Sequence, residues 1–309
     1  MREEGKKIKL ELGNVSLEPE LGSYYIDMRP AMIHYLDGTY GGDFDELGVP
    51  RIMDGGELIY SPVNICQYGF MLHSDYMETK NEALLQTLKA ILDRLIALQV
   101  EKEDTIAWYS YTFDFKYKIN PPWASGMSQG EAISFYLRMY QLTGDENLLV
   151  FANKAYKFLN IDVKDGGVMT RDAKDFLWYE EFPSMPSSYV LNGFIYTIFG
   201  LYDLYRVCPK EDLKSKIDEC NATVKNYLPE FDAGYWSYYD LLKKELVRYY
   251  YQKNVHVPQL RVLARLTEDS FFENYATKWE KQLTPWNYML VKIMYRILPR
   301  WRKKSFKLN

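Results

Sequence analysis

The feature that most constrains the fold of this chain is a repeated pair of amphipathic helical segments. From Pro62 onward, apolar residues recur at the three- and four-residue spacing of a helix face, interrupted by short polar breaks. Each predicted pair opens with an amide side chain, repeated at roughly 65 residues, at Gln67, Gln129, Asn192 and Gln259. Because one helical hairpin cannot bury its apolar face alone, this period predicts hairpins that stack around a shared core.

The predicted architecture is mainly α-helical: an incomplete α/α toroid, or (α/α)-barrel, of four hairpins. In such a ring the first helices of the pairs line the inside, and the linkers gather at one end. The linkers here are long and aromatic, at 108–123, 166–186 and 235–251. The sequence therefore predicts a site at the linker end of the toroid. We also expect the third pair to begin at 187–205, capped by Ser187 or Ser188, because a proline-bracketed turn precedes it.

The predicted toroid spans residues 61–285 and is flanked by two other segments. Residues 1–60 combine Gly-rich turns with short alternating stretches, which predicts an irregular arm with short β-strands. Residues 286–309 predict a helix followed by a basic run with interleaved apolar residues. Such a tail suits peripheral contact with an anionic membrane surface or with an assembly partner, although an ordinary exposed basic tail explains the same residues.

Charge and cysteine content argue against several classes of function. The 309 residues carry a net charge of −4, which gives no general attraction to nucleic acid. Three cysteines without a CxxC pair argue against a zinc site or a disulfide framework, and only three histidines are available for a metal centre. We therefore expect no metal and no cofactor.

The expected location follows from targeting signals. The N-terminal sequence has no apolar stretch of signal-peptide length, and no window approaches the length of a membrane span. We expect a cytoplasmic protein, with peripheral contact at the inner membrane surface through the basic tail. A homodimer is the assembly that we consider alongside the single chain.

The segment 178–203 concentrates the residue types expected of a sugar-binding site. It opens with Trp178, Tyr179, Glu180 and Glu181, and the whole chain contains 28 tyrosines. Tyrosine joins an apolar ring to a hydroxyl group, which suits a surface that grips hydroxylated rings. We expect the two glutamates on a partly exposed rim before a helix, and composition alone favours ordinary solvated loop acids.

Four segments resemble one family of enzymes: PPWASGMSQGEAIS (121–134), WYEEFPSMPSSYVLNGFIYTIFGLYDL (178–204), YYDL (238–241) and HVPQL (256–260). Over residues 60–285 the chain is similar to the C-terminal helical domain of D-glucuronyl C5-epimerases of the heparosan and heparan-sulfate type. The β-rich N-terminal modules of the animal enzymes have no counterpart in this sequence, so a smaller relative is expected. The resemblance implies inversion at C5 of glucuronic acid in a heparosan-like or bacterial capsular polysaccharide, without metal or cofactor.

The resemblance assigns three residues to proton transfer. The family's catalytic glutamate falls on Glu181, and its YDL tyrosine falls on Tyr239, which would hydrogen-bond the developing charge or share the acid role. A further family tyrosine falls on Tyr251, opposite Glu181, although an apparent one-residue insertion before the HVPQL segment leaves Tyr250 as the alternative. The residues expected to line the cleft are Trp123, Gln129, Tyr179, Asn192 and His256.

Two positions depart from the family's pattern. Phe182 stands where the family has a tyrosine, so one hydroxyl group is missing. Leu242 stands where the family has an arginine, the natural bidentate partner of a uronate carboxylate. Arg248 or Arg171 would have to take the place of that arginine.

Three functions are compatible with these residues. The first is an epimerase acting on a uronic-acid polysaccharide. The second is a uronate lyase, which uses the same proton abstraction and then expels the C4 substituent. The third is a non-catalytic glycan-binding or assembly protein on the same fold. For Gln129 and Asn192, hydrogen bonding at helix starts inside the toroid competes with substrate contact.

Overall fold

The computed structural model describes residues 8–36, 42–54 and 56–305, with side chains as far as residue 295. The helices are α1 (Ile33–Leu36), α2 (Pro62–Thr79), α3 (Glu82–Leu98), α4 (Gly126–Thr143), α5 (Glu146–Leu159), α6 (Leu191–Val207), α7 (Glu211–Tyr227), α8 (Tyr249–Tyr251), α9 (Val257–Thr267), α10 (Ser270–Lys281) and α11 (Pro285–Ser305). The strands are β1 (Glu11–Leu12), β2 (Ile26–Asp27), β3 (Asp43–Phe44), β4 (Pro50–Asp54), β5 (Glu57–Ile59), β6 (Val100–Lys102), β7 (Thr105–Ala107), β8 (Tyr109–Ser110), β9 (Trp123–Ala124), β10 (Met169–Arg171) and β11 (Leu177–Tyr179).

Four helical hairpins form the body of the protein. They pair α2 with α3, α4 with α5, α6 with α7, and α9 with α10. The first helices also pack on one another in chain order, α2 on α4, α4 on α6, and α6 on α9, so they form the inner layer. This arrangement is the mainly α, incomplete α/α toroid that the repeat predicts, and the predicted fold class is confirmed.

Burial and capping explain why each helix occupies its layer. Helices α4 and α6 are buried on nearly all sides, whereas α5 and α7 bury one stripe of apolar residues. The two inner helices approach closely because a Cβ atom on Gly200 would lie 2.4 Å from the carbonyl oxygen of Gly130. Three outer helices begin with a side-chain oxygen that accepts a hydrogen bond from the backbone two residues on, at Asn81, Asp145 and Asp269.

The N-terminal arm spans from the last inner helix to the first. Strands β1 and β2 form an antiparallel pair that contacts α9, and the 3-10 turn Arg29–Ala31 contacts α2. The Leu10 N–H donates to Asn254 Oδ1 at 2.8 Å, and the Tyr35 hydroxyl donates to the Asn64 carbonyl at 3.3 Å. The arm therefore ties together the two ends of the incomplete ring. The predicted domain boundaries at residues 60 and 285 stay predictions.

The start of the third hairpin corrects one expectation. Helix α6 begins at Leu191, after Val190 in extended conformation, and neither Ser187 nor Ser188 caps it. The Ser188 hydroxyl is instead 2.5 Å from Glu180 Oε2 and 2.9 Å from the Phe182 carbonyl. The serine that resembled a helix cap therefore holds the preceding loop in place.

The C-terminal segment forms helix α11. Its first turns expose apolar side chains, with Trp286 at 76%, Met289 at 48% and Ile293 at 42% exposure. The predicted basic run at 296–307 lies outside the described side chains, and its membrane contact stays a prediction. Among the described residues, no helix has both the length and the apolar character needed to cross a bilayer.

Candidate active site

The linker between α5 and α6 sets the position of the two glutamates. Strand β11 pairs with β10 in antiparallel register, with Met169 opposite Tyr179. Immediately after β11, the Glu180 N–H donates to the Val168 carbonyl at 2.8 Å, and the Glu180 carbonyl accepts from the Gly126 N–H at 2.8 Å. These two bonds fix the backbone at the point where the Glu181 side chain leaves it.

The expectation of solvated loop acids on a partly exposed rim is wrong for both glutamates. Glu180 is 1% exposed and Glu181 is 9% exposed, because the linker is packed under the rim of the toroid. Glu180 accepts hydrogen bonds from the Ser188 hydroxyl and, at 3.1 Å, from the Tyr189 N–H. Its carboxyl group therefore organises the loop, and only Glu181 faces the cleft described below.

Glu181 is held by a tyrosine and by the closeness of a helix. Its Oε1 atom accepts a hydrogen bond from the Tyr239 hydroxyl at 3.0 Å, while Oε2 has no hydrogen-bond partner among the described residues. A Cβ atom on Gly193 would lie 2.3 Å from Oε2, so the carboxyl group needs a glycine at that position. Burial raises the pKa of Glu181 to about 7, against the lowering effects of the Tyr239 hydrogen bond and the Lys116 charge.

The two predicted catalytic tyrosines lie side by side. The rings of Tyr239 and Tyr251 are 5.8 Å apart between centroids and inclined at 70°. Burial, and then the charge of Glu181, raise the pKa of both hydroxyl groups well above 10, so both remain protonated at neutral pH. The Tyr250 ring lies 5.8 Å from that of His34. The geometry thus associates Tyr251, rather than Tyr250, with Glu181.

The extra residue noted before HVPQL has a structural counterpart. The chain forms a π-helical turn at Gln252–His256, between α8 and α9. The backbone hydrogen bonds of a π turn span one residue more than those of an α-helix. A π turn therefore absorbs a one-residue insertion without breaking the helix. The turn follows Tyr251 directly and joins that residue to the inner helix α9.

These residues surround a cleft of about 960 Å³ at the linker end of the toroid. Five of the predicted site residues contribute to its lining: Glu181, Tyr250, Tyr251, Trp123 and Asn192. Asn192 is 1% exposed, and its Oδ1 atom has no hydrogen-bond partner among the described residues. The cleft therefore combines a carboxylate, phenols, an amide and aromatic rings, the groups expected around a bound sugar.

Three other predicted lining residues lie in the core instead. Gln129 is fully buried, and with its amide turned by 180° both atoms find core partners, the N–H donating to the Ile106 carbonyl at 3.3 Å and the oxygen accepting from the Trp108 N–H at 3.2 Å. Tyr179 is 1% exposed, within β11. His256 lies behind Tyr251 at 5.7 Å between ring centroids, with Nδ1 3.0 Å from the Ser237 hydroxyl. Burial lowers the pKa of His256 to about 3, so the ring is neutral.

Neither arginine expected to replace the family's arginine reaches the cleft. Arg171 lies at the end of β10, where it binds Glu219 Oε2 at 3.0 Å and the Asp175 carbonyl at 2.7 Å. Arg248 is exposed at the start of α8 and does not line the cleft. Of the two departures, Phe182 forms an apolar wall between Tyr117 and Trp123, at 5.0 and 5.5 Å between ring centroids, whereas Leu242 lies outside the lining.

Lys116 is a site residue that the sequence analysis missed. It is the sole lysine or arginine lining the cleft within residues 8–36, 42–54 and 56–295. Its ammonium group lies 4.2 Å from the centre of the Tyr239 ring, and 3.3 and 3.4 Å from carboxylate oxygens of Asp240 and Glu245. The signal available was its place in the aromatic linker 108–123, but nothing local distinguishes it from other surface lysines.

Among the described residues, no three or more His, Cys, Asp or Glu side chains are grouped to hold a metal ion. The groups that line the cleft include a carboxyl group and phenols, which can transfer protons, and one ammonium group.

Comparison with known proteins finds a matching family model and several relatives of this chain. A family model described as D-glucuronyl C5-epimerase C-terminus matches residues 102–281. A D-glucuronyl C5-epimerase of Caenorhabditis elegans is 35% identical over 182 residues, which cover 53% of this chain and 29% of that enzyme. An uncharacterized protein of Methanocaldococcus jannaschii is 30% identical over 202 residues, which cover 64% of this chain and 65% of the relative.

Two solved structures show the fold. A cellobiose 2-epimerase from Spirochaeta thermophila has a TM-score of 0.52 at 11% identity, over 81% of this chain and 65% of the enzyme. A family 76 α-mannanase from Bacteroides thetaiotaomicron has a TM-score of 0.50 at 12% identity, over 80% of this chain and 64% of that protein. At such low identities the likeness extends to the fold alone.

Proposed function

This chain belongs to the D-glucuronyl C5-epimerase family, and we propose that it inverts C5 of D-glucuronic acid residues in a polysaccharide to give L-iduronic acid. The observation that carries the proposal is the position of Glu181, which lines the cleft together with Tyr251 and accepts a 3.0 Å hydrogen bond from Tyr239, a residue outside the lining. A carboxyl group and a neighbouring phenol are the acid–base pair that this reaction needs.

The reaction consists of two proton transfers at one carbon atom. Glu181, with a pKa of about 7, takes the C5 hydrogen of the uronate, and the electrons of that bond move into an enediolate. Tyr251 then donates a proton to C5 from the opposite face, and the configuration is inverted. Tyr239 donates a hydrogen bond to the developing negative charge, or takes part in the transfer itself.

The enediolate carries additional negative charge on the carboxylate of the sugar, and Lys116 is the group that meets it. Its ammonium group has three N–H donors, and two acidic side chains hold it beside Tyr239. A positive charge aimed at the developing charge lowers the barrier more than it strengthens ground-state binding. Lys116 would thus do the work of the arginine that Leu242 replaces.

Tyr239 also provides a route that resets the site. After one inversion, Glu181 holds the proton from C5 and Tyr251 has lost one. Because the Tyr239 hydroxyl is hydrogen-bonded to both Glu181 and Tyr251, it can give its own proton to Tyr251 and take the proton that Glu181 holds. Both groups then return to their starting protonation states.

The test is solvent exchange at C5. The protein is incubated in D₂O with heparosan, chondroitin or a bacterial glucuronan, and NMR follows the replacement of the C5 hydrogen by deuterium. We expect exchange on at least one polymer. Glu181→Gln and Tyr251→Phe should each reduce it by about 100-fold or more, with unchanged circular dichroism. Tyr275→Phe is the matched control, since it makes the same chemical change on α10, away from the cleft lining, and it should retain exchange.

Other outcomes separate the competing functions. Exchange that persists in Glu181→Gln would remove the proposed base. An unsaturated product, detected by its ultraviolet absorbance, would indicate a uronate lyase. Binding of a polymer without exchange, in wild type and Glu181→Gln alike, would indicate a glycan-binding protein.

A further inference from the structure

An exposed row of aromatic side chains borders the cleft on the linker 108–123. Tyr111, Phe113 and Phe115 are 69%, 39% and 86% exposed, and they alternate with partly buried residues along the chain. All three line the same cleft as Glu181. We call these three residues the aromatic strip.

The backbone that carries the aromatic strip is fixed by hydrogen bonds. Asp114 and Ile119 exchange two backbone hydrogen bonds, at 3.0 and 3.2 Å. The Trp123 indole N–H donates to the Thr112 carbonyl at 3.0 Å. Thr112 and Asp114, which lie between the three aromatic residues, are thus bonded to other parts of the linker. The alternate side chains are the exposed ones.

Exposure of this kind has a cost in free energy. Each large apolar side chain left in water forgoes the favourable free energy that its burial would contribute. Single exposed apolar residues are common, but a contiguous row beside a cleft marks a binding surface. Phe113 and Phe115 meet edge to face, with centroids 5.0 Å apart, so they offer one continuous aromatic surface.

We propose that the aromatic strip binds pyranose residues of the polymer that flank the reacting uronate. A pyranose ring presents C–H groups on its faces, which pack against aromatic rings while its hydroxyl groups remain in water. Lys116 directly follows Phe115 and lies beside Tyr239, so the aromatic strip leads to the proposed reacting position. This inference rests on the proposed function and adds to it a dependence on chain length.

The experiment measures binding and turnover separately. Calorimetry on Glu181→Gln protein compares a heparosan hexasaccharide with the disaccharide, with and without Tyr111→Ser and Phe115→Ser together. We expect these two changes to weaken hexasaccharide binding by about 10-fold or more and to leave disaccharide binding unchanged. Trp286→Ser is the matched control, because Trp286 is 76% exposed on α11 and does not line the cleft.

In otherwise wild-type protein, the same two changes should raise KM for long chains and leave kcat unchanged, since the aromatic strip does not touch the reacting atoms. Equal hexasaccharide affinity with and without the aromatic strip would overturn the inference. A wild-type dimer that becomes a monomer on these changes, with unaltered binding, would overturn it too. Strip-dependent binding without C5 exchange would leave the inference standing and refute the epimerase.

Discussion

Glu181 is enclosed by the protein and is also the group that must become negatively charged in the proposed reaction. Burial raises its pKa to about 7, while Tyr239 and Lys116 stabilise the ionised form. Near neutral pH both protonation states are therefore populated, which suits a group that takes and releases a proton in each cycle. Substitutions at Tyr239 and Gly193, which both contact the Glu181 side chain, test this environment.

The first test removes the hydroxyl group of Tyr239. Its hydrogen bond stabilises the Glu181 carboxylate, so Tyr239→Phe should raise the pKa of Glu181 further above its ordinary value. Since the proposed base must be ionised, the acidic limb of the profile of kcat/KM against pH should move to higher pH. Tyr275→Phe, on α10 and outside the cleft lining, should leave the limb in place. A shift to lower pH in Tyr239→Phe would contradict the assignment of Glu181 as the base.

The second test fills the space beside the Glu181 carboxyl group. In Gly193→Ala the new Cβ atom would lie 2.3 Å from Oε2 and 2.5 Å from the Cβ atom of Glu181, so the whole Glu181 side chain must move. We expect a loss of activity of about 100-fold, as for a catalytic group displaced by an ångström. The gain in helix propensity of roughly 1 kcal/mol should offset part of the strain, so stability changes little.

Gly200→Ala is the comparison, since it lies in the same helix but is directed at the backbone of Gly130, 2.4 Å from its carbonyl oxygen. We expect it to lower the free energy of unfolding by about 1–3 kcal/mol. Similar losses of activity and of stability in the two variants would show that Gly193 acts only through packing.

At the scale of elements, the linkers and the π turn position the residues proposed for catalysis, and the helical hairpins hold these segments in place. The π turn Gln252–His256 is anchored through Gln252, whose Oε1 atom accepts from the N–H and hydroxyl groups of Ser237 at 2.8 and 3.0 Å. Its amide N–H group donates to the Trp279 carbonyl at 3.0 Å. One buried amide therefore joins the linker that carries Tyr239 to the turn that follows Tyr251.

Replacing this amide should loosen the site and the fold together. Gln252→Leu leaves the buried Ser237 N–H without its acceptor, and we expect a loss of about 1–3 kcal/mol in the free energy of unfolding, measured by urea denaturation. Gln86→Leu makes the same chemical change at an exposed position of α3 and should alter stability by no more than about 0.5 kcal/mol. An equally small effect in Gln252→Leu would show that the π turn does not depend on this amide.

At the scale of the whole molecule, buried carboxyl groups and buried histidines have opposite effects on how stability changes with pH. Burial raises the pKa of Glu180 and Glu181 to about 7 and lowers the pKa of His73 and His256 to about 3. A raised carboxyl pKa contributes stability that is complete below pH 4.5 and is lost as the pH rises through 7. A lowered histidine pKa acts in the opposite direction, with stability gained between about pH 3 and 6.5. The wild-type curve alone therefore cannot isolate Glu181.

The difference in the free energy of unfolding between Glu181→Gln and wild type isolates the contribution of Glu181. Glu181→Gln removes the ionisation, so its free energy of unfolding relative to wild type should increase from pH 4.5 to 7.5. The increase is of order 3 kcal/mol, from a pKa of about 7 against the ordinary 4.5. Denaturation series at several pH values measure this difference, and Gln86→Leu, which removes no titratable group, should give a constant one. A flat difference for Glu181→Gln would mean that burial does not raise its pKa.

The hairpins could be predicted because helical periodicity is a local property of the chain. The linkers rich in aromatic residues can be recognised in the same way. Ser188 was misread because a serine before an apolar helix has the same local pattern whether it caps the helix or binds a loop carboxylate. The functional assignment of Glu181, Tyr239 and Tyr251 came from resemblance to a family rather than from periodicity.

The sequence by itself determined the hairpin repeat, and therefore the mainly helical toroid, because each hairpin must bury a stripe that recurs at fixed spacing. Only the tertiary structure decided which side chains meet at the cleft. Lys116, Glu181 and Tyr239 are far apart along the chain, and their contact depends on how three linkers pack at one end of the ring. Burial and charge act through space, so the raised pKa of Glu181 arises from those neighbours and not from its place in the sequence.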